Sequence, residues 1–513
     1  MMPPPDWFVS LLPHLAGLVP VLPLLAAAGI GLHVLSGKAL GDEGERPTAR
    51  LGSGAALGGL LVMLCLDVLA LVHALPGRIL LGSWFESGAV SIPLSLMLDG
   101  LGLAMGTLVA LIAWITLRFS VNYLHRESGF HRFFLAMCLF VAGMQLIVLA
   151  SNAVLAFVGW ELAGVSSYLL IGYAYERSTA TGNALFAFVA NRIGDAGFIL
   201  SIALCLWWLG TTEWQALGVG GALDKVTARL MLFGFILAAV AKSAQVPFSP
   251  WIARALEGPT PSSAIFYGAV MVHAGVYLVI RLEPALVQVP DIMFYVAVVG
   301  GVTALYGYVV GLVQTDVKSA LVFGTTTQVG LMFFACGMGW FELAGWHLGL
   351  HAAWRAYQFL MAPSYMHMVS EPARRAPRFL SGRRWLYTAA LQRFWLDHLA
   401  QALLVRPVQT VGRDVRALDD QVLSRLVGMS DPSRGEGASD ENVILGRGLA
   451  GRVLVWAADH LHDIESRLLL RRSDGAAVRV LRRMGTALLV VEALLEQPRY
   501  LLLLVLVTFA VIL

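Results

Sequence analysis

The sequence predicts an all-α, polytopic membrane helix bundle of about eleven core spans, one of them broken, followed by an amphipathic helical tail and a terminal anchor. Three observations carry that prediction. Of 513 residues, 58% are hydrophobic and only 13% are charged, against about 25% charged in a soluble globular chain. Mean hydropathy is +0.73. Apolar runs of ~20 residues, the length a spanning helix needs, recur through the first 370 positions. A water-soluble enzyme is excluded.

The spans fall near 11–36, 51–76, 93–119, 131–150, 152–173, 184–209, 228–256, 262–281, 289–313, 316–338 and 342–368. Turn-rich stretches such as SGKALGDEGERPT and LEPALVQVPD connect them. Residues 1–90 form the N-terminal spans and 91–370 the core. The opening MMPPPDWFVS lacks a basic stretch before its apolar run, so the first helix is expected to be retained. In the seventh span Pro247 and Pro250 break the helix, because proline removes a backbone donor and clashes with the preceding turn. About half of all charged residues lie beyond residue 370. The Arg-rich EPARRAPRFLSGRRW, directly after a span, points to the cytoplasmic side. Within the polar region 371–483, segments 386–428 and 443–483 have apolar positions at helical spacing, separated by a linker at 430–442. Residues 484–513 complete the chain as a membrane anchor.

Other classes drop out quickly. A net charge of +3 and the lack of a basic block argue against nucleic-acid binding. Cys65, Cys138, Cys205 and Cys336 are far apart in apolar stretches, with no CxxC, so no disulfide framework, metal site or cofactor is expected. No GxxxxGK[ST] loop is present, which leaves an ion gradient or a partner as the energy source.

Only four of the 36 basic residues are lysines: Lys38, Lys225, Lys242 and Lys318. Lysine, unlike arginine, can lose its proton when desolvated. A charge at the bilayer centre costs at least ~2.5–3.5 kcal/mol, so each intramembrane charge needs a reason. Glu161, in LAFVGWELAGVSS, is either a local helix-end partner or, the better reading, a protonatable carboxylate facing the bundle. Lys242 precedes the proline break, where irregular backbone at membrane depth requires a protein or water-filled surround. Lys318 either pairs structurally with Asp316 or begins a hydrated path along Thr325, Thr326, Thr327 and Gln328. His347, His351 and Arg355 fall at i, i+4 and i+8, one helical face suited to a proton relay. Arg192 and Asp195, three apart, form a structural pair or a relay element. His273 reads as an isolated core histidine.

Taken together, FVGWELAGVSSYLLIGY, FVANRIGDAGF, KSAQVPFSPWIARALEGPTPSSAIFYGAVMVHAGVYLV, QTDVKSALVFGTTTQVGLMFF and HLGLHAAWRAYQFL, in this order, resemble the antiporter-like proton-conducting subunits. That family includes the complex I L subunit, the large Mrp antiporter subunit and DabB-type subunits of inorganic-carbon uptake. The resemblance covers about residues 90–370. It implies that Glu161 partners Lys242, that Lys318 is the central lysine of the path, and that His347 and His351 continue it. Three departures stand out: Tyr267 where the family often has histidine, Arg355 where it often has lysine, and no second broken helix with its own lysine after the histidine helix.

The expected function is proton translocation by a membrane subunit without catalytic chemistry of its own, part of a multi-subunit complex in a bacterial inner membrane. The preferred setting is DabB-like inorganic-carbon uptake with a large soluble zinc-dependent DabA-like partner, because a half-channel is missing. The alternatives are a complex I, hydrogenase or antiporter assembly and a non-conducting scaffold.

Overall fold

The computed structural model describes residues 6–37, 41–73, 75–87, 90–218, 225–269, 271–368 and 376–418, together with Trp456 and His460. The linker at 430–442, the segment 443–483 except those two residues, and the anchor at 484–513 lie outside the described residues. The chain divides into a unit over residues 1–400 and a second over 401–513.

Eight described helices are long and apolar enough to cross a membrane. These are α1 (Asp6–Leu35), α2 (Gly41–Val72), α3 (Gly100–Tyr123), α4 (Phe130–Leu149), α5 (Ala153–Ile171), α6 (Ser178–Leu209), α13 (Pro290–Gly311) and α14 (Val317–Gly337). Side-chain caps start several of them. Asp99, Asn152 and Asp316 accept from the amides of Gly102, Leu155 and Ser319 at 2.9, 2.9 and 2.8 Å, satisfying donors the helix cannot pair internally. Helix pairs close where glycines face each other. A Cβ on Gly143 would lie 2.8 Å from the Gly159 carbonyl oxygen, and one on Gly330 2.8 Å from that of Gly300. Backbones approach this closely only where side chains are absent.

Two boundaries differ from expectation for physical reasons. Helix α2 starts at Gly41, well before residue 51. Its polar first turns are held by tertiary contacts: Glu45 binds His125 at 2.8 Å and the Arg126 amide at 2.9 Å, and Thr48 meets His131 at 2.8 Å. The run expected as the start of a span at 93–99 is instead strand β2 (Val90–Met97), paired antiparallel with β1 (Arg78–Ser87). This hairpin is clamped by Glu213, which accepts from Arg78 at 2.9 Å, Ser151 at 2.9 Å and Ser95 at 3.2 Å.

The other three expected spans are where the site lies. After the short α7 (Trp214–Leu217), α8 (Lys225–Lys242) stops at the expected proline break, and α9 (Pro250–Arg254) resumes beyond it. The peptide bond before Pro247 is cis, and Ala244 has a φ of 51°. The Trp251 indole donates to the Ala241 carbonyl at 2.9 Å and Thr303 accepts from the Val246 amide at 3.0 Å, so backbone groups freed by the break find partners inside protein. The next span is interrupted as well, which makes two broken helices instead of one. It runs as α10 (Thr260–Ser263), a π-helical stretch (Ala264–Ala269), a turn at 271–273, and α11 (Ala274–Arg281). A short α12 (Glu283–Leu286) leads on to α13, and α15 (Phe341–Met368) carries the histidine face.

Beyond α15 the expected amphipathic stretch is segmented into α16 (Arg378–Ser381), α17 (Arg384–Leu391) and α18 (Leu396–Ala400). Arg393, Phe394 and Trp395 have φ between 50° and 54°, a left-handed conformation that costs L-residues ~1–2 kcal/mol each. Contacts hold it. Leu396 packs on Tyr306, Val310 and Phe323 with Val246 and Ala253, while Asp397 binds Arg254 at 3.2 Å and Arg393 at 3.6 Å. In the second unit, α19 (Arg406–Leu418) is amphipathic as predicted, with Val408, Val411 and Val415 along one exposed stripe.

Candidate functional site

Lys242, in the last turn of α8, is 1% exposed. Its ammonium donates to the Trp160 carbonyl at 3.1 Å and stands 5.0 Å from the centre of the Trp160 ring. The helices beside it supply the countercharges. On α6, Arg192 binds Glu161 of α5 and, at 2.9 Å, Asp195 one turn along. Asp195 also accepts the Trp160 indole N–H at 2.7 Å. Gly164 makes room: a Cβ there would meet Arg192 Nη2 at 3.1 Å and Lys242 Nζ at 3.4 Å. Lys242 thus interacts electrostatically with Asp195, Arg192 and Glu161 together.

Glu161 acts on Lys242 electrostatically, while its direct contact is with Arg192. The Arg192 guanidinium bridges two carboxylates, Nη1 to Glu161 and Nη2 to Asp195. Arg192 and Asp195 therefore belong to the lysine cluster. Trp160, which sequence reasoning passed over, touches both Lys242 and Asp195.

The histidine face of α15 is real and turns inward. His347 meets Gln328 Oε1 of α14 at 2.8 Å, and His351 Nδ1 lies 2.9 Å from His273 Nε2. Arg355 Nη2 is 3.4 Å from His351 Nε2. His273, expected as an isolated core residue, is fully buried at the turn that interrupts the second broken helix and joins the histidine face. No periodicity in the sequence signalled this. A proton added to His351 would sit about 4 Å from a permanent guanidinium charge, a repulsion of ~4 kcal/mol at an effective dielectric near 20.

Lys318 stands in the first turn of α14, where Asp316 caps the helix instead of pairing with it. Its ammonium donates to Thr260 Oγ1 at 2.6 Å, and Thr260 in turn meets the Tyr123 hydroxyl at 2.9 Å. The Tyr267 hydroxyl donates to the Ile252 carbonyl at 2.8 Å; its bond ties the π-helical stretch to α9.

Several polar atoms between the breaks and α15 are buried without a protein partner: Ser243 Oγ, Gln245 Oε1, Ser249 Oγ, Ser263 Oγ, His273 Nδ1, Arg355 Nε and Gln358 Oε1. Each such group costs about 1–3 kcal/mol if left unsatisfied. The seam is therefore chemically suited to water. Among the described residues no group of three His, Cys, Asp or Glu side chains could hold a metal ion.

Comparison with known proteins follows this geometry closely. Residues 150–381 match the family described as NADH:quinone oxidoreductase/Mrp antiporter, TM, and residues 84–134 match NADH-Ubiquinone oxidoreductase (complex I), chain 5 N-terminus. NADH-quinone oxidoreductase subunit L of Mycobacterium tuberculosis is 36% identical over 371 residues, covering 71% of this chain and 57% of that protein. NAD(P)H-quinone oxidoreductase subunit 5 of the Paulinella chromatophora chromatophore is 35% identical over 366 residues, covering 70% and 55%. The chain thus spans somewhat over half the length of these relatives. A chain of the Mrp complex from Dietzia sp. DQ12-45-1b shares the fold, with a TM-score of 0.60, 23% identity, and coverage of 97% of this chain and 62% of that one.

Proposed function

Because the chain belongs to the NADH:quinone oxidoreductase/Mrp antiporter family of multi-pass membrane subunits, we propose that it translocates protons as one subunit of a larger membrane complex. One observation carries the reading: a fully buried lysine at the break of a span, surrounded by Asp195, Glu161 and Arg192. An ammonium in such a place can give up its proton, and the adjacent carboxylates tune how readily. The proton passes from the Glu161, Arg192, Asp195 and Lys242 cluster to the seam of unpartnered polar atoms, with His273, His351 and His347 as acceptors on α15. Lys318 and Thr260 connect the path to the end of the bundle that carries the Arg-rich segment.

The relatives' names favour a complex I or Mrp-type assembly. None of those named above supports the inorganic-carbon setting or a zinc-dependent soluble partner. The test is Lys242→Ala in the purified chain, or in its complex, reconstituted into vesicles that enclose a pH-sensitive dye. Proton flux is expected to fall at least tenfold. Unchanged flux in a correctly folded variant would favour the scaffold reading.

A further inference from the structure

The two clusters differ in charge balance. Around Lys242 two bases face two acids. Around Arg355, the titratable groups that interact with His351 among the described residues are all basic: His273, His347 and Arg355 itself. Arg355 is 8% exposed, its Nη2 lies 3.4 Å from His351 Nε2, and among the described residues no carboxylate pairs with it. Arg192, Arg254 and Arg281 each meet an acid: Glu161 and Asp195, Asp397, and Asp99. Arginine cannot shed its charge as lysine can, and an uncompensated charge in a membrane interior is strongly unfavourable.

The guanidinium is also built to hold something. One face packs on Gly324, where a Cβ would come within 3.2 Å of Nη2. Its Nε is buried and has no protein partner. Nε and the adjacent Nη present two parallel donors on one edge, the geometry with which arginine takes anions. His273 Nδ1 is a further unpartnered buried atom in the same cluster.

We propose that Arg355 binds a small inorganic anion of the halide class on its Nε edge, and that this anion supplies the negative charge the histidine face needs to accept a proton. The second half rests on the proton-relay reading; the binding site does not. With the anion seated, a proton on His351 makes the cluster's positive charge two against one negative. Without it, two positive charges stand side by side with no acid near.

The test uses the full chain purified in bromide and its structure determined with diffraction data at the bromine edge. Bromide density is expected within hydrogen-bonding distance of Arg355 Nε in the wild type and absent in Arg355→Met. Should that variant fail to fold, Arg355→Lys keeps the charge, removes the donor edge and is expected to weaken bromide binding at least tenfold. No bromide at Arg355 in the wild type overturns the site. In reconstituted vesicles, replacing chloride by gluconate is expected to lower proton flux at least tenfold. Bound bromide with anion-independent flux overturns the coupling; bound bromide with no flux in any anion leaves the site standing and overturns the relay.

Discussion

His273 is the residue on which the reading of the histidine face turns. Its Nε2 contact with His351 bridges α15 and the turn before α11, the step that the proposed relay needs beyond α15. His273→Asn keeps a hydrogen-bonding group of similar size but removes the titratable ring. It is expected to reduce proton flux by about 10²-fold, the contribution typical of a positioned proton-transfer group, in the same vesicle assay. The spacing of His347, His351 and Arg355 revealed their shared face, since residues four apart on a helix line up. His273 was not legible in the same way. Its partner lies 78 positions along the chain, and one histidine in an apolar run carries no periodicity. Glu161 and Lys242 stood out because of the cost of burying charge, but the bridging role of Arg192 depends on side-chain reach that spacing does not encode.

At the scale of elements, the proline-rich break after α8 was readable because proline has fixed geometric consequences. The second break was hidden. It has no proline within the interruption, and the π-helical stretch is enforced by packing against neighbours such as α9, through Tyr267. The hairpin was missed because an apolar run of strand length resembles the start of a span. The second broken helix ends at Arg281, which chelates Asp99 at the start of α3 and donates from Nε to the Tyr277 hydroxyl at 2.8 Å. Burial works to raise the Asp99 carboxyl, but the hydrogen bonds and charge of Arg281 outweigh it and hold it below its ordinary value of 3.8. A carboxyl depressed by folding stabilises above its unfolded value and loses that contribution as pH falls through its folded one. Asp99→Asn is therefore expected to lower the thermal midpoint at pH 7, with the gap to the wild type closing below about pH 4. A gap that persists at low pH would mean that the charge of Asp99 does not hold the two helices together.

For the whole molecule, the fold class was legible from composition alone, while the closure of the bundle was not. Where the family often continues with further core helices and the sequence instead turns polar, the segment 393–397 folds back onto α13, α14 and the first break through Leu396 and Asp397. The sidedness also follows from charge. The hairpin lies at one end of the bundle, with the start of α5; the turn after α5, Lys318 and the segment after α15 lie at the other. The second end carries Arg378, Arg383 and Arg384 and is expected to face the cytoplasm. In a background with Cys65 replaced, Glu176→Cys should react with an impermeant thiol reagent only from the cytoplasmic side and Glu86→Cys only from the opposite one. Reversed labelling would invert the orientation.

The bridging of Glu161 and Asp195 by Arg192, beside Lys242, has an electrical consequence. When all four groups are charged, their charges sum to zero. A neutral quartet is indifferent, as a body, to the voltage across the membrane, whereas each surplus proton couples to that voltage with up to ~2.3 kcal/mol per 100 mV. In the proposed relay, the energised membrane would therefore act on this cluster only through its occupancy: it would do work on the proton that arrives or leaves, and little on the resting groups that receive it.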